Sequence, residues 1–274
     1  MGRQKLNKTE TDDNKEYRDS IAMEKYFYVN SEGCSISCKI YTDDSPNIKK
    51  VILFGHGFGG HKDNKAAEKL ARHVLSKNKS TAIIVFNWPC HGDDVRKSLR
   101  LDDCGMYLER MIAYINERYS SPEIYGCATS FGGYLFLKYI SENGSPFKKL
   151  ALRCPAVGMY AVIAERVLTA DDLNKIEKGK PVLAGFDRKI RIDKPFVDSL
   201  KEADITKRDF TDFLDDILII HGTEDEIVPF EASMQFADDN LIEFIPAEGA
   251  DHRFTDPIKM DQAIKQIAAF FGMK

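Results

Sequence analysis

Two kinds of apolar spacing alternate along most of this chain. Short, nearly unbroken apolar runs fall at residues 51–54, 81–86, 123–127, 149–154, 217–220 and 242–245, each the length of a strand. Unbroken runs predict strands buried on both faces, because a half-exposed strand would alternate apolar with polar positions. Between them lie stretches whose apolar residues recur every three to four positions. Residues 64–76 carry Ala67, Leu70, Ala71 and Val74 on one side, and residues 102–119 carry Met106, Leu108, Met111, Ile112 and Ile115. Residues 134–140 and 258–271 read the same way, and such spacing predicts helices packed by one face. Strands alternating with helices give an α/β protein built on a mostly parallel sheet with helices on both faces. Ahead of it, residues 25–30 and 34–41 flank Ser31-Glu32-Gly33, which predicts a hairpin supplying an antiparallel edge.

One segment breaks the alternation. Residues 155–215 hold no clear strand; 159–168 has helical spacing, and the remainder is charged and irregular. A stretch of that length is too long for a simple connection. It is expected to sit on top of the sheet as an insertion, about 156–215, within a single domain spanning 25–274. The polar, lysine-rich residues 1–24 form an N-terminal extension. Its role stays open between a disordered tail, a segment packed on the body, and one that meets a second copy in a homodimer.

Composition narrows the classes of function. The 274 residues are 43% hydrophobic and 30% charged, with 17 Phe and 11 Tyr, which suits a sizeable core and excludes a disordered chain. Thirty-nine basic against 43 acidic residues leave a formal charge of −4, with no electrostatic case for nucleic acid or an anionic membrane surface. No apolar run reaches the ~18 residues that a membrane span needs. Cys34, Cys38, Cys90, Cys104, Cys127 and Cys154 are scattered, and Cys34-x-x-x-Cys38 lies in an alternating run. Buried thiols are expected rather than disulfides or a zinc site, and with them a cytoplasmic location.

Four stretches carry chemistry, and each follows an expected strand. In Ala128-Thr129-Ser130-Phe131-Gly132 a strand ends, a serine follows and a helix begins, with small residues two before and two after Ser130. A nucleophile elbow needs this arrangement, since larger side chains would collide with the adjacent strand and helix. A serine that merely caps a helix accounts for the same five residues. In His56-Gly57-Phe58-Gly59-Gly60 the glycines let backbone N–H groups approach a substrate oxygen, and the N–H groups of Phe58 and Phe131 would form an oxyanion hole. In His221-Gly222-Thr223-Glu224-Asp225-Glu226 three acids compete to orient a catalytic imidazole. In Gly249-Ala250-Asp251-His252-Arg253-Phe254 a histidine stands where it could serve Ser130 as general base. His56 and His221 begin glycine-containing turns and are assigned to structure, His73 falls within a helix, and His61 and His91 lie on loops near the same rim.

The order serine, acid, histidine on successive strand ends is one of the known triad orders. With its His-Gly-Phe-Gly-Gly, Ser-Phe-Gly-Gly and His-Gly-x-x-Asp-x-x-Val-Pro stretches, the sequence resembles the α/β-hydrolase superfamily from about residue 25 to its C-terminus. Within it the resemblance is to small bacterial serine esterases of the feruloyl (cinnamoyl) esterase-like and monoacylglycerol lipase-like groups. The resemblance implies an α/β-hydrolase fold with an eight-stranded sheet, Asp225 as the acid, and the 156–215 insertion as a small cap. Relatives often carry an Asp-containing Gly-His-Gly loop where this chain has Asn87-Trp88-Pro89-Cys90-His91-Gly92. The pocket wall there is expected to differ, with His61, Trp88, His91, Met159 and Tyr160 lining it and Phe186 and Phe196 as further candidates.

The function expected is hydrolysis of a small-molecule carboxylic ester through an acyl-enzyme, with catalytic Ser130, His252 and Asp225 and no metal or organic cofactor. A thioesterase, a peptidase or a carbon–carbon bond hydrolase would use the same triad. A non-catalytic binding protein on this fold would be expected to lose triad residues or oxyanion glycines, and all are present here.

Overall fold

The computed structural model describes residues 23–274 apart from Glu32 and Asp44. The extension expected over residues 1–24 therefore lies outside the described residues except for Met23 and Glu24, which open the first strand.

Eight strands form one sheet. In chain order they are β1 (Met23–Ser31), β2 (Cys34–Thr42), β3 (Lys50–Gly55), β4 (Thr81–Phe86), β5 (Glu123–Thr129), β6 (Lys149–Arg153), β9 (Ile217–Gly222) and β10 (Glu243–Ala247). Their spatial order is β1-β2-β4-β3-β5-β6-β9-β10. Only β2 runs against its neighbours, pairing antiparallel with β1 and β4, so the hairpin supplies the antiparallel edge that the sequence predicts. From β4 to β10 every pairing is parallel.

Alternate residues of the apolar strands feed two cores. Val51 and Leu53 of β3 pack with helices α2 (Leu101–Arg118), α3 (Phe131–Asn143) and α7 (Phe230–Asp239) on one face. Ile52 and Phe54 pack with α1 (Lys65–Leu75) and α8 (Pro257–Phe270) on the other. Both faces are covered, which is why the strands read as continuous apolar runs.

The insertion is more ordered than its sequence predicts. It contains α4 (Met159–Val162), continued by a wider turn over Ile163–Val167, then α5 (Ala170–Glu177), α6 (Lys194–Glu202) and a small antiparallel pair, β7 (Val182–Ala184) and β8 (Ile190–Ile192). This stretch, expected to be irregular, is thus largely regular structure, and α7 is a further helix that the sequence pattern does not predict. Ile176 of α5 and Phe196, Val197 and Leu200 of α6 are the buried residues of those helices, too few to set up a visible period, and caps at Thr169 and Asp193 start each one. These residues belong to the same core as α2 and α3, so the insertion has no core of its own.

Two further expectations change. Trp88 and His91, expected on a pocket wall, are fully buried beneath the glycine loop that follows β3. Trp88 donates its indole N–H to the His56 carbonyl at 2.9 Å. The His91 ring stacks on Phe131, with centroids 5.9 Å apart, and meets Phe58 edge-on at 5.6 Å. Both aromatic side chains thus went inward to fill space.

Two predictions follow from this packing. A Cβ on Gly132 would lie 2.5 Å from the Gly55 carbonyl oxygen, whereas one on Gly105 in α2 would meet nothing within 4 Å. Gly132→Ala should lose about 2 kcal/mol in urea unfolding, through overpacking against backbone. Gly105→Ala should gain about 1 kcal/mol through helix propensity. The second concerns His91. Its Nδ1–H donates to the Pro89 carbonyl at 2.8 Å, while the buried Nε2 has no partner, so a second proton there would be unsolvated. Burial lowers its pKa from 6.5 to about 4. Above the unfolded pKa both states are neutral; as pH falls, the unfolded chain takes up a proton that the folded one refuses, and stability drops. By pH 5 this one group should have cost about 2 kcal/mol. In His91→Phe the difference in unfolding free energy between pH 7 and pH 5 should shrink by that amount.

Candidate active site

The sheet reverses its direction of growth at β3, which has β4 on one side and β5 on the other. Crevices form outside the carboxyl ends of strands at such a reversal. There the loop after β3, His56 to Gly60, lies beside the turn after β5, because Gly55 is in register with Ala128.

Ser130 occupies that turn with φ 52° and ψ −119°, a conformation that costs energy for any residue with a Cβ. Its surroundings impose it. The Ser130 N–H donates to the Arg153 carbonyl at 3.1 Å, and its own carbonyl accepts from Tyr134 at 3.1 Å and Ala156 at 3.2 Å. A Cβ on Gly57 would lie 3.2 Å from the Ser130 Cβ, so the bare backbone of the glycine loop passes directly against the serine. The N–H groups of Phe58 and Phe131 have no acceptor among the described residues, the second because it opens α3. The Phe58 and Phe131 rings, 5.6 Å apart, brace each other edge to face over His91.

The acid and the histidine come from the last two strand ends. Of the three acids after β9, Asp225 turns inward and its side chain is wholly buried. Its Oδ1 accepts from the N–H groups of Ile227 at 2.9 Å and Val228 at 2.7 Å. Its Oδ2 lies 2.7 Å from Nδ1 of His252 and 3.1 Å from Nε2 of His221. Burial alone would raise the pKa of this carboxyl; the hydrogen bonds from His221, His252 and Val228 outweigh it and hold the group well below the usual carboxylate range. A carboxylate only accepts, so Nδ1 of His252 carries the proton of that hydrogen bond. His221, assigned to structure in the sequence, faces only acceptors with its Nε2, the second being the Val228 carbonyl at 3.2 Å. That nitrogen is therefore protonated, and the buried Nδ1 has no partner. Glu226 reaches only the backbone N–H of His252, at 3.4 Å.

Ser130 and His252 line one cleft of about 480 Å3, together with the glycine loop, His61, Phe186, Arg153 and Met260. Its outer wall is the tip of the β7–β8 pair. Asp187 of that tip pairs with Arg253 at 2.7 Å, and the Arg188 carbonyl lies 3.4 Å from where a Gly59 Cβ would be. The other expected pocket residues are elsewhere. Met159 and Tyr160 line a separate hollow of about 300 Å3 beside Tyr134 and Leu200, and Phe196 is fully buried in the core that the insertion shares with α2 and α3. Arg153, Ile227 and Met260 were not anticipated. For Arg153 a signal existed: it is the one charge inside the otherwise apolar run Leu150–Cys154.

Cys154, His221 and Asp225 bring one potential metal-ligand atom each within 4.8 Å of one another. The Asp225 Oδ2 is already shared by two imidazoles, and burial pushes the Cys154 thiol well above its ordinary pKa, so no thiolate is offered. The cluster is a hydrogen-bonded one.

Solved structures of the same architecture are numerous. Est1E from Butyrivibrio proteoclasticus, in a structure with bound ferulic acid, superposes with a TM-score of 0.73 at 19% identity, covering 89% of this chain and 97% of that one. The esterase domain of a Rhodothermus marinus protein gives 0.65 at 17% identity, covering 90% and 97%. An a/b serine hydrolase without lid from Xanthomonas campestris, XC6422, gives 0.60 at 13% identity, covering 91% and 94%. No curated protein matches the sequence. Among the described residues, no helix is long and apolar enough to cross a membrane. A sequence model of the alpha/beta hydrolase fold matches residues 50–188, just over half of the chain, and its matched stretch holds the glycine loop, the strained serine turn and the strands that bring them together. The chain therefore belongs to the alpha/beta hydrolase fold family.

Proposed function

We infer that this protein is a serine hydrolase that cleaves carboxylic esters. The observation that carries the reading is the short Asp225–His252 pair opening onto the same cleft as Ser130, which is held on a strained strand-to-helix turn. His252 Nε2 takes the Ser130 proton as the serine oxygen attacks the ester carbonyl. Asp225 keeps the imidazole in the tautomer that leaves Nε2 free and stabilises the imidazolium that forms. The negative charge developing on the carbonyl oxygen is met by the N–H groups of Phe58 and Phe131, each worth on the order of 3 kcal/mol. His252 then protonates the departing alcohol, and water, deprotonated by the same nitrogen, releases the acid from Ser130. The insertion over residues 156–215 acts as a cap, with Phe186 and Asp187 as its cleft-facing residues. All six cysteines are unpaired thiols and four are buried, which suits a reducing, cytoplasmic setting.

The test is hydrolysis of 4-nitrophenyl acetate, butyrate and octanoate and of methyl ferulate. Ser130→Ala should remove turnover while leaving the circular dichroism spectrum unchanged. Asp225→Asn should lower kcat by on the order of 10,000-fold, because the amide no longer fixes the histidine tautomer. Equal rates in wild type and Ser130→Ala would overturn the assignment of the nucleophile. Turnover of thioesters or amides in place of esters would keep the triad and replace the substrate class.

A further inference from the structure

The cleft contains a buried positive charge that no carboxylate of the described residues pairs with directly; Asp225 and Asp251 act on it only from beyond 4.0 Å. Arg153 ends β6, is only 9% exposed, and lines the cleft beside Ser130 and His252. Its backbone carbonyl holds the Ser130 N–H, so its position is tied to that of the serine. Its guanidinium is committed at one end only. Nη1 donates to the Arg253 carbonyl at 3.4 Å and lies 3.2 Å from the Met260 sulfur, and the group sits 5.0 Å from the centre of the Phe254 ring. Nε is buried with no acceptor, and Nη2 has none among the described residues. No carboxylate of the described residues lies within 4.0 Å of it.

A guanidinium keeps its proton even where burial works against the charge. Leaving part of it in a poorly solvated site without an acceptor is costly, because a buried N–H that donates to nothing loses its hydration without a hydrogen bond in return. The other charged groups at the cleft do not share this state. Asp187 is answered by Arg253, and Asp63 by Lys39 and Lys62. Lys65 and His61 stand exposed at the rim. Nε is enclosed, so the end of Arg153 open to a ligand is Nη2, whose N–H groups can donate to a carboxylate oxygen in a charge-assisted hydrogen bond. With a single buried cation at the site, a singly charged group is the better fit than a doubly charged phosphate monoester.

We propose that Arg153 is a specificity residue that binds a carboxylate carried by the substrate, so that the preferred esters are anionic ones. The proposal rests on the ester-hydrolase reading for its kinetics and on the Arg153 Nη2 group alone for its binding. The carboxylate itself is unchanged by the reaction; it fixes the ester carbonyl against Ser130 and the two N–H donors.

Two pairs of esters test it. Mono-4-nitrophenyl glutarate is compared with 4-nitrophenyl butyrate, which places the charge on the acyl side. 4-Butyryloxybenzoate is compared with its methyl ester, which places it on the alcohol side. The wild type should favour the anionic member of at least one pair by tenfold or more in kcat/KM. Arg153→Met should erase that preference, lowering kcat/KM for the anionic ester at least tenfold more than for its neutral partner and mainly through KM, and Arg153→Lys should restore part of it. No preference in either pair, or a parallel loss on neutral and anionic esters in Arg153→Met, would overturn the proposal and reduce Arg153 to a brace for residues 251–255. The ester reading can fail separately, with no ester cleaved by the wild type. Calorimetric titration of glutarate and benzoate into the wild type and Ser130→Ala then decides. Saturable binding of either anion, weakened at least tenfold by Arg153→Met, supports the carboxylate site, and no binding overturns it.

Discussion

Between the Gly132 Cα and the Gly55 carbonyl there is room for a hydrogen atom and nothing larger, and that close approach sets the geometry of the cleft. It draws the start of α3 against the end of β3. The N–H that opens the helix and the N–H groups of the glycine loop can then face one point in space. The same approach leaves Ser130 no relaxed backbone conformation, and its left-handed φ is sustained because its N–H and carbonyl are both bound to the β6 side of the sheet. The strain is thus held by the sheet, whose apolar strands have two covered faces to resist it.

Two buried charges at the cleft, Asp225 and Arg153, are treated differently by the fold. Asp225 is wholly buried, yet four donors converge on its two oxygens, so the ionised form is the stable one. The second imidazole, His221, occupies the lone pairs that His252 does not use and so restricts the carboxylate to one orientation. Arg153 ends the neighbouring strand, β6, with three of its five N–H groups given no acceptor among the described residues. A fold that satisfies a buried anion so fully and leaves a buried cation open points to where an anion from outside belongs.

The insertion shows how a segment can look unstructured in sequence and still be ordered. Its helices are short, each buries one to three side chains, and those side chains join a core built mainly by α2 and α3. Its order therefore depends on a surface that lies elsewhere in the chain. The tip of its hairpin reaches the glycine loop and the His252 loop through one carbonyl and one ion pair, contacts that no local pattern encodes.

The sequence by itself determined the strands of the main sheet, most of the helices that cover it, their parallel arrangement and the candidate residues Ser130 and His252. Each of these depends on local periods or on glycine and small-residue spacing, which are properties of neighbouring positions. It did not distinguish Asp225 from Glu224 and Glu226 without a family resemblance, since all three share one turn and only the fold turns one of them inward. The tertiary structure alone decided which aromatic and charged side chains face the cleft. Trp88 and His91 were drawn into the core because the space beneath the glycine loop had to be filled, and Met159 and Tyr160 were carried to another hollow by the path of the insertion. Arg153 stood in the sequence as a lone charge in an apolar strand. Its meaning appears only with the strand's end beside Ser130, because burial and the lack of a direct ion pair are relations between segments distant in the chain.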